Sequence, residues 1–550
     1  LENLNRNLDL EAAENEVEAV VEASEGFVAP AVAPCEPESK ETPKRGRFLP
    51  NLISNAALFG FNILVGLWYT PYLVHHLGTA AYGIIPLVTQ ITGYMIVLTS
   101  TLNSATGRFI TIALEQNNDE EANRYFNTTF FGSVLLVLLL IPLVSWATWN
   151  LGSLIVIPEG LASQCQWLFV CTVTGFFLGT LQSPFGVSCY CRNRFDLSNT
   201  ILFIQAVMRV GLVVVFFGVA APKIWQVGLA SLVAMFFGWG WSIQLWRRLT
   251  PTLSISFSHF EWNAFRHLFS MGGWIAVSTV GTILFLSIDL LVVNRMFGVE
   301  VGGRYAAILQ WPFLLRSIAT TIGSVFGPTI LYYYAQKDMK GLVLYSRQAV
   351  KFVGILIALP TGLISGFAGP LLRIWLGPKF VELAPLMFLM TFPLAVGLAY
   401  LPLHNISNAL IKVRVPGIVQ LLAGVLNLML AVGLASVPAL GYYGVAAAGV
   451  IVFSLRNILF TPLYASHILK ISRLAFLREG ILVFLLSVLV MFACWELQAF
   501  VVIEGYLGLF LVFFLVSISY LGLAFLFCLN REERRRVLEI LLGFKSFLNH

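Results

Sequence analysis

Three arginines lie where an apolar run should carry no charge: Arg209 in LFIQAVMRVGLVVVFF, Arg316 in LQWPFLLRSIATTIG and Arg456 in GVIVFSLRNILF. A guanidinium at the centre of a bilayer costs roughly 2.5 kcal/mol or more unless it meets water, a partner or a polar cavity, so each of the three needs a reason. Its planar fork of donors matches phosphate oxygens and keeps its charge at any relevant pH. One reading is therefore an anion site on a cavity wall, built from some of Arg316, Arg209 and Arg456. The other is that each arginine pairs with carbonyls or with Asp289 and holds helices together. Asp289, in TILFLSIDLLVVN, is the one acid well inside an apolar run. It reads either as a proton or sodium site or as the counter-ion of Arg316, because buried charges are usually paired. Gln90 and Gln310 are further polar candidates for a cavity wall or a helix contact.

Other chemistries have no visible seat. The seven cysteines include Cys189 and Cys191 as a lone C-x-C, too little for a metal site, and the thiols read as small hydrophobes. The chain holds no H-E-x-x-H, G-x-S-x-G or G-x-x-x-x-G-K, and no D-x-D. Catalysis, a resident metal or cofactor, and ATP hydrolysis are not expected. A net charge of +6 from 34 Lys and Arg against 28 Asp and Glu is spread over short loops, which argues against nucleic acid.

The elements that must position the four charges are membrane helices. A mean hydropathy of +0.82, with 58% hydrophobic and 11% charged residues, makes lipid the solvent for most of the chain. One crossing takes about 20 apolar residues. Apolar runs predict spans near 51–73, 82–106, 127–149, 164–188, 199–220, 224–245, 268–294, 304–333, 350–372, 382–407, 415–437, 442–467, 479–499 and 506–528, about fourteen in all. With the N-terminus inside, the inner loops and ends hold 25 Lys and Arg and the outer loops five, the asymmetry expected of cytoplasmic loops. Both termini are then cytoplasmic. Residues 1–47, rich in Glu, Ala and Pro, read as a disordered cytoplasmic tail with a transient helix near 10–23, lacking the early basic end and apolar core of a cleavable signal. Residues 255–269 and 531–547 carry aromatic or apolar and basic residues at helical spacing and read as interfacial helices.

An internal repeat organises the spans. Shifting the chain by 220 residues superposes Gly78 on Gly298, Gly83 on Gly303, Gln90 on Gln310 and Gly107 on Gly327, with eight identities over the 39 positions 78–116. An even number of helices separates the copies, so the halves have the same orientation. The expected fold class is an all-α membrane protein of two six-helix lobes in parallel repeat plus two C-terminal helices. Its parts are the N-lobe (48–246), an amphipathic inter-lobe linker (247–267), the C-lobe (268–470), the terminal pair (471–530) and a basic amphipathic tail (531–550). Arg316 aligns with Ile96, so the scaffold itself does not require that charge.

The first hairpin, NLISNAALFGFNILVGLWYTPYLVHHLGTAAYGIIPLV, with its L-G-x-x-x-Y-G turn (Leu77, Gly78, Tyr82, Gly83), the following LNSATGRFI, and the entry FSHFEWNAFRHLFSMGGWIAVSTVG resemble the polysaccharide transporter family. These are the lipid-linked oligosaccharide (O-antigen type) flippases of the multidrug/oligosaccharidyl-lipid/polysaccharide exporter superfamily. The resemblance covers about residues 49–530 and rests on patterns. It implies two lobes facing a central cavity and alternating access in the bacterial inner membrane. The implied substrate is an undecaprenyl-diphosphate-linked oligosaccharide of O-antigen, capsule or exopolysaccharide, with its diphosphate on the cavity arginines. Coupling to a proton or sodium gradient, contact with membrane lipids and contact with other polysaccharide-assembly proteins are implied in the same way. A peptidoglycan lipid-precursor flippase shares the fourteen-helix plan. A drug/cation antiporter would favour twelve helices and acidic cavity residues. A polymerase or ligase would need a large outer loop, whereas the longest here, near 150–163, has one acid and no Lys, Arg or His.

Overall fold

The structure, a computed structural model, describes residues 48–501, 503, 505–531 and 533–535. The expected tail 1–47 lies outside these residues, as does most of 531–550. The chain divides into two units, residues 1–50 and 51–550, and the helical lobes belong to the second.

Among the described residues every regular element is a helix. Lipid offers no partner for backbone amides, so each crossing segment must satisfy its own. The N-lobe contains α1 (Phe48–Leu77), α2 (Thr79–Gly93), α3 (Ile96–Glu115), α4 (Asp119–Trp149), α5 (Ala162–Cys191), α6 (Phe195–Val219) and α7 (Ile224–Leu249). The C-lobe contains α8 (Trp262–Leu286), α9 (Asp289–Ser324), α10 (Gly327–Ala335), α11 (Met339–Gly366), α12 (Ala368–Trp375), α13 (Ala384–Thr391), α14 (Leu394–Ala399), α15 (His404–Ala409), α16 (Arg414–Ala435), α17 (Tyr442–Phe453) and α18 (Thr461–Ile468). The terminal pair is α19 (Leu477–Phe500) and α20 (Gly505–Leu523). Among the described residues twelve segments are long and apolar enough to cross a membrane, against the fourteen expected. The difference lies in two places. Residues 79–115 are broken at Tyr94 and Met95 into α2 and α3, and Ala276–Ala335 is a single 60-residue segment that contains the reversal at Gly298.

The turns differ by side. Where Lys and Arg concentrate, helices end on a left-handed residue, Asn117, Asn193, Lys337, Ile411 or Lys470. The next amide returns to a carbonyl five residues back, as Asn118 N does to Ala113 O (2.9 Å) and Asp338 N to Tyr333 O (3.1 Å). This closes the orphan carbonyls of the helix end. On the opposite side most reversals use glycine, including Gly78 (φ +80°) and Gly298 (φ +83°), the pair superposed by the repeat. The repeat also aligns Asn117 with Lys337, and their neighbours Asn118 and Asp338 cap the next helices identically, accepting from Glu121 N and Gly341 N. Farther along, Asn193 and Ile411 are equivalent at a spacing of 218, as are the starts of α7 and α17 at Ile224 and Tyr442.

Gly83 and Gly303, also repeat mates, meet where the lobes touch. A Cβ on Gly83 would stand 2.5 Å from Gly303 Cα, so only paired glycines allow α2 and α9 this approach. On the same glycine-turn side Val156 N donates to Asn294 Oδ1 (2.9 Å) and Trp375 Nε1 donates to Leu67 O (2.6 Å). Leu67 O lacks its helical donor because Pro71 has no N–H, and Trp375 fills the vacancy. Within the C-lobe, Gly281 and Gly424 bring α8 against α16, whereas Gly93 and Gly211 face open space.

After a turn at 251–252, residues 253–256 form a strap outside any helix and Phe257–His259 a single 3-10 turn, so the interfacial helix expected over 255–269 begins only at Trp262. Asn123 and Asn127, one turn apart on α4, bind this strap as a second backbone would. Their amides donate to Thr252 O and Ser254 O, and their carbonyls accept from Ser254 N and Ser256 N at 2.8–2.9 Å. Arg124 pairs with Glu261 at 3.0 Å. The terminal pair lies along α11: Val483, Val490 and Cys494 of α19 sit over Gly354, Gly362 and Gly366, and Tyr520 donates to Ile355 O (2.8 Å).

Candidate functional site

The break between α8 and α9 comes at Ser287 and Ile288, and Asp289 opens the helix that follows. A break leaves carbonyls without donors, and Asn427 of α16 supplies one. Its Nδ2 lies 3.2 Å from Leu284 O, 3.4 Å from Phe285 O and 3.0 Å from Asp289 Oδ1. From the N-lobe, the Tyr94 hydroxyl donates to Ser287 O at 2.9 Å, so both lobes touch this break. Asp289 is buried, and Gly449 of α17 packs against its other oxygen.

Arg316 lines the same small cavity as Asp289, about 30 Å³ in volume, with Phe285 and Phe453 in its wall. Among the described residues Arg316 and Asp289 feel each other's charge but form no ion pair within 4.0 Å. The counter-ion role expected of Asp289 is thus not met by direct contact. The acid is held by Asn427, and Arg316 Nε is buried without a partner.

What holds Arg316 is aromatic. Its guanidinium carbon lies 5.6 Å from the Phe453 ring centroid, and that of Arg456 lies 5.8 Å from the Phe285 centroid. The two rings are parallel within 1° at 6.3 Å. Each phenylalanine thus carries one cation, and the electron-rich ring faces stabilise both charges without consuming an N–H donor. Arg456 lies in a π-helical stretch, Ser454–Phe460, and donates to Asn457 Oδ1 at 3.0 Å. Such bulges turn side chains off the regular helical face.

Arg209 stands apart. It lines a pocket of about 530 Å³ inside the N-lobe, between α1, α2, α5, α6 and α7. Among the described residues its buried Nε has no hydrogen-bond partner, and neither does the buried Tyr69 hydroxyl within its electrostatic reach. Gln310 packs on Gly66 of α1 as an inter-lobe contact, while Gln90 keeps a buried, unpartnered Oε1. The six residues singled out by sequence therefore fall in three places: Asp289, Arg316 and Arg456 around one phenylalanine pair, Arg209 in the other lobe, and the two glutamines near the lobe junction. Sequence reading missed Phe285, Phe453, Asn427 and Tyr69. Two are phenylalanines among 44 and carry no signal, but Tyr69 sits 220 residues before Asp289, and the repeat could have pointed to it.

A third feature is an apolar groove of about 870 Å³ between the glycine-turn half of α1, Trp311, the α12 end and α20, lined by Trp68, Tyr72, Trp375 and Phe510 among others.

Comparison with known proteins agrees with this architecture. The family described as "Polysaccharide biosynthesis protein" matches residues 48–333. The uncharacterized membrane protein EpsK of Bacillus subtilis (strain 168) is 35% identical over 503 residues, covering 92% of this chain and all of that protein. Among solved structures, the lipid II flippase MurJ in an inward closed conformation superposes with a TM-score of 0.64 at 13% identity, covering 87% of this chain and 99% of that one. An inward-facing multidrug resistance transporter of the MATE family superposes at 0.57 with 15% identity, covering 77% and 98%. The chain is a multi-pass membrane protein that belongs to the family described as "Polysaccharide biosynthesis protein".

Proposed function

We propose that this protein flips an undecaprenyl-diphosphate-linked oligosaccharide from the inner to the outer leaflet of the bacterial inner membrane by alternating access. The observation that carries this reading is the Arg316–Phe453–Phe285–Arg456 arrangement. Two guanidiniums held on parallel rings, with no carboxylate in ion-pair contact among the described residues, suit the two phosphates of a diphosphate. The cavity of about 30 Å³ beside Arg316 has room for water only, so headgroup binding requires the C-lobe helices that enclose it to move apart. The apolar groove beside α1 and α20 has the chemistry for the polyprenyl tail. Asp289, with Asn427 and the carbonyls of the helix break, is the candidate proton or sodium site. The basic turns and both termini face the cytoplasm in this reading, and other polysaccharide-assembly proteins receive the product.

The test is complementation of a flippase-null strain with wild type, Arg316→Ala and Arg456→Ala. The expected result is surface glycan only with wild type, and lipid-linked intermediate retained on the inner leaflet with both variants at matched protein levels. Full rescue by both variants would falsify the assignment. Rescue of a strain depleted of its peptidoglycan-precursor flippase would instead move the substrate to that lipid.

A further inference from the structure

The Arg209 pocket and the Asp289 pocket are the same place in the two halves of the repeat. The backbone sets the equivalences: 220 residues in the part marked by Gly78 and Gly298 or Asn117 and Lys337, and 218 in the part marked by Asn193 and Ile411. With these offsets, eight of the 13 residues lining the C-lobe pocket have counterparts lining the N-lobe pocket, among them Leu309 with Thr89, Pro393 with Gly175 and Gly449 with Ser231. Asp289 corresponds to Tyr69, and its amide partner Asn427 corresponds to Arg209.

Charge content and size differ between the copies. The C-lobe pocket holds the Asp289 carboxylate together with Arg316 and is filled to about 30 Å³ by Phe453, Pro312 and Arg316, where the N-lobe has Met235, Thr92 and Ile96. The N-lobe keeps about 530 Å³ around a cation with no acid in ion-pair contact among the described residues. That volume exceeds an inorganic ion and lies within the range of small-molecule sites. Its wall is largely apolar, but Asn62, Thr89, Thr92, Gln205 and Ser231 line it together with Arg209. Thr89, Thr92 and Ser231 donate to carbonyls of their own helices, so their oxygens stand ready to accept from ligand hydroxyls. A cation amid hydroxyl acceptors and amides matches a hydroxylated ring bearing an anionic group.

We propose that the N-lobe pocket is a binding site for an acidic sugar, with Arg209 on its carboxylate or phosphate and the Thr, Ser, Asn and Gln side chains on its hydroxyls. This deepens the proposed function, on which it rests for the source of the sugar. The glycan end of the substrate occupies the N-lobe while the diphosphate occupies the C-lobe.

The test is equilibrium binding of glucuronate, glucose and inorganic phosphate to the purified full chain in nanodiscs. Glucuronate should bind saturably and better than either other ligand. Its apparent Kd should rise about tenfold or more in Arg209→Gln, the loss expected for a charge-assisted contact. Arg209→Lys should restore part of the affinity, and Arg316→Gln should leave it intact while stopping flipping. Should Arg209→Gln fail to fold, Asn62→Leu and Gln205→Leu serve in its place, each expected to weaken glucuronate but not phosphate. Equal binding of glucose, or glucuronate affinity indifferent to position 209, overturns the site. Phosphate binding as tight as glucuronate reduces it to a free-anion pocket and overturns the sugar assignment. Because the probe is soluble, glucuronate binding by a chain that flips nothing would disprove the flippase reading and leave this one standing.

Discussion

At Phe453 the aromatic ring does what a carboxylate would do at most buried arginines, and the difference is chemical as well as electrostatic. A carboxylate would occupy the guanidinium fork, whereas a ring face stabilises the charge and leaves the N–H groups for a ligand. Phe453→Leu keeps apolar bulk and removes the ring face. Its expected effect is a fall in flipping of about fivefold or more, from a cation–π contribution near 1–2 kcal/mol. A fluorescent-lipid or glycan-accumulation assay reads this at matched protein levels, and unchanged flipping would show that the ring is only packing. Trp375→Phe is the second prediction at this scale. Leu67 O loses the donor that stands in for the missing amide of Pro71, so the melting temperature should fall by a few degrees, from the roughly 1–3 kcal/mol of an orphaned carbonyl.

Among the elements, turn chemistry is what the lobes share most closely. Ile411 is the informative outlier. It is β-branched, 84% exposed and held at φ +57°. A left-handed residue other than glycine costs roughly 1–2 kcal/mol, so Ile411→Gly should raise thermal stability without altering transport. A lower melting temperature would mean that Ile411 makes contacts which offset its strain. The strap on α4 is a second designed element. Asn123→Ala and Asn127→Ala each remove two hydrogen bonds from the backbone of residues 252–256. Proteolysis within the strap should become faster in either variant, because these two amides are what tie its backbone to α4.

For the whole molecule, the lobes meet at paired glycines on one side while their charged centres remain separate within each lobe. A Cβ on Gly303 would stand 2.1 Å from Thr79 O, so Gly303→Val cannot keep the present approach of α9 to α2. The expected outcome is a population shifted toward lobes parted on the glycine-turn side, read as increased thiol labelling of a cysteine placed at Val156 or Asn294. Labelling unchanged from the parent would show that the α2–α9 contact does not control access.

Much of this architecture is legible in the residues alone. Apolar runs demand helices in lipid whatever their tertiary partners, and loop charge orders them, because both effects are local to a span or a turn. The repeat is visible at Gly78 and Gly298 because a backbone at φ near +80° selects glycine in each copy. The arginines are visible because charge in an apolar run is costly wherever the helix packs. The sequence could not say which charges share a site. Depth along a helix comes from counting residues, but the facing direction and the neighbouring helix come from packing, and the π-helical stretch at Ser454–Phe460 defeats a regular count at Arg456. Only the tertiary structure seated Arg316 and Arg456 on two phenylalanines indistinguishable in sequence from the other 42, put Arg209 in a pocket within electrostatic reach of Tyr69, and gave Asp289 an amide instead of the arginine that charge alone had suggested.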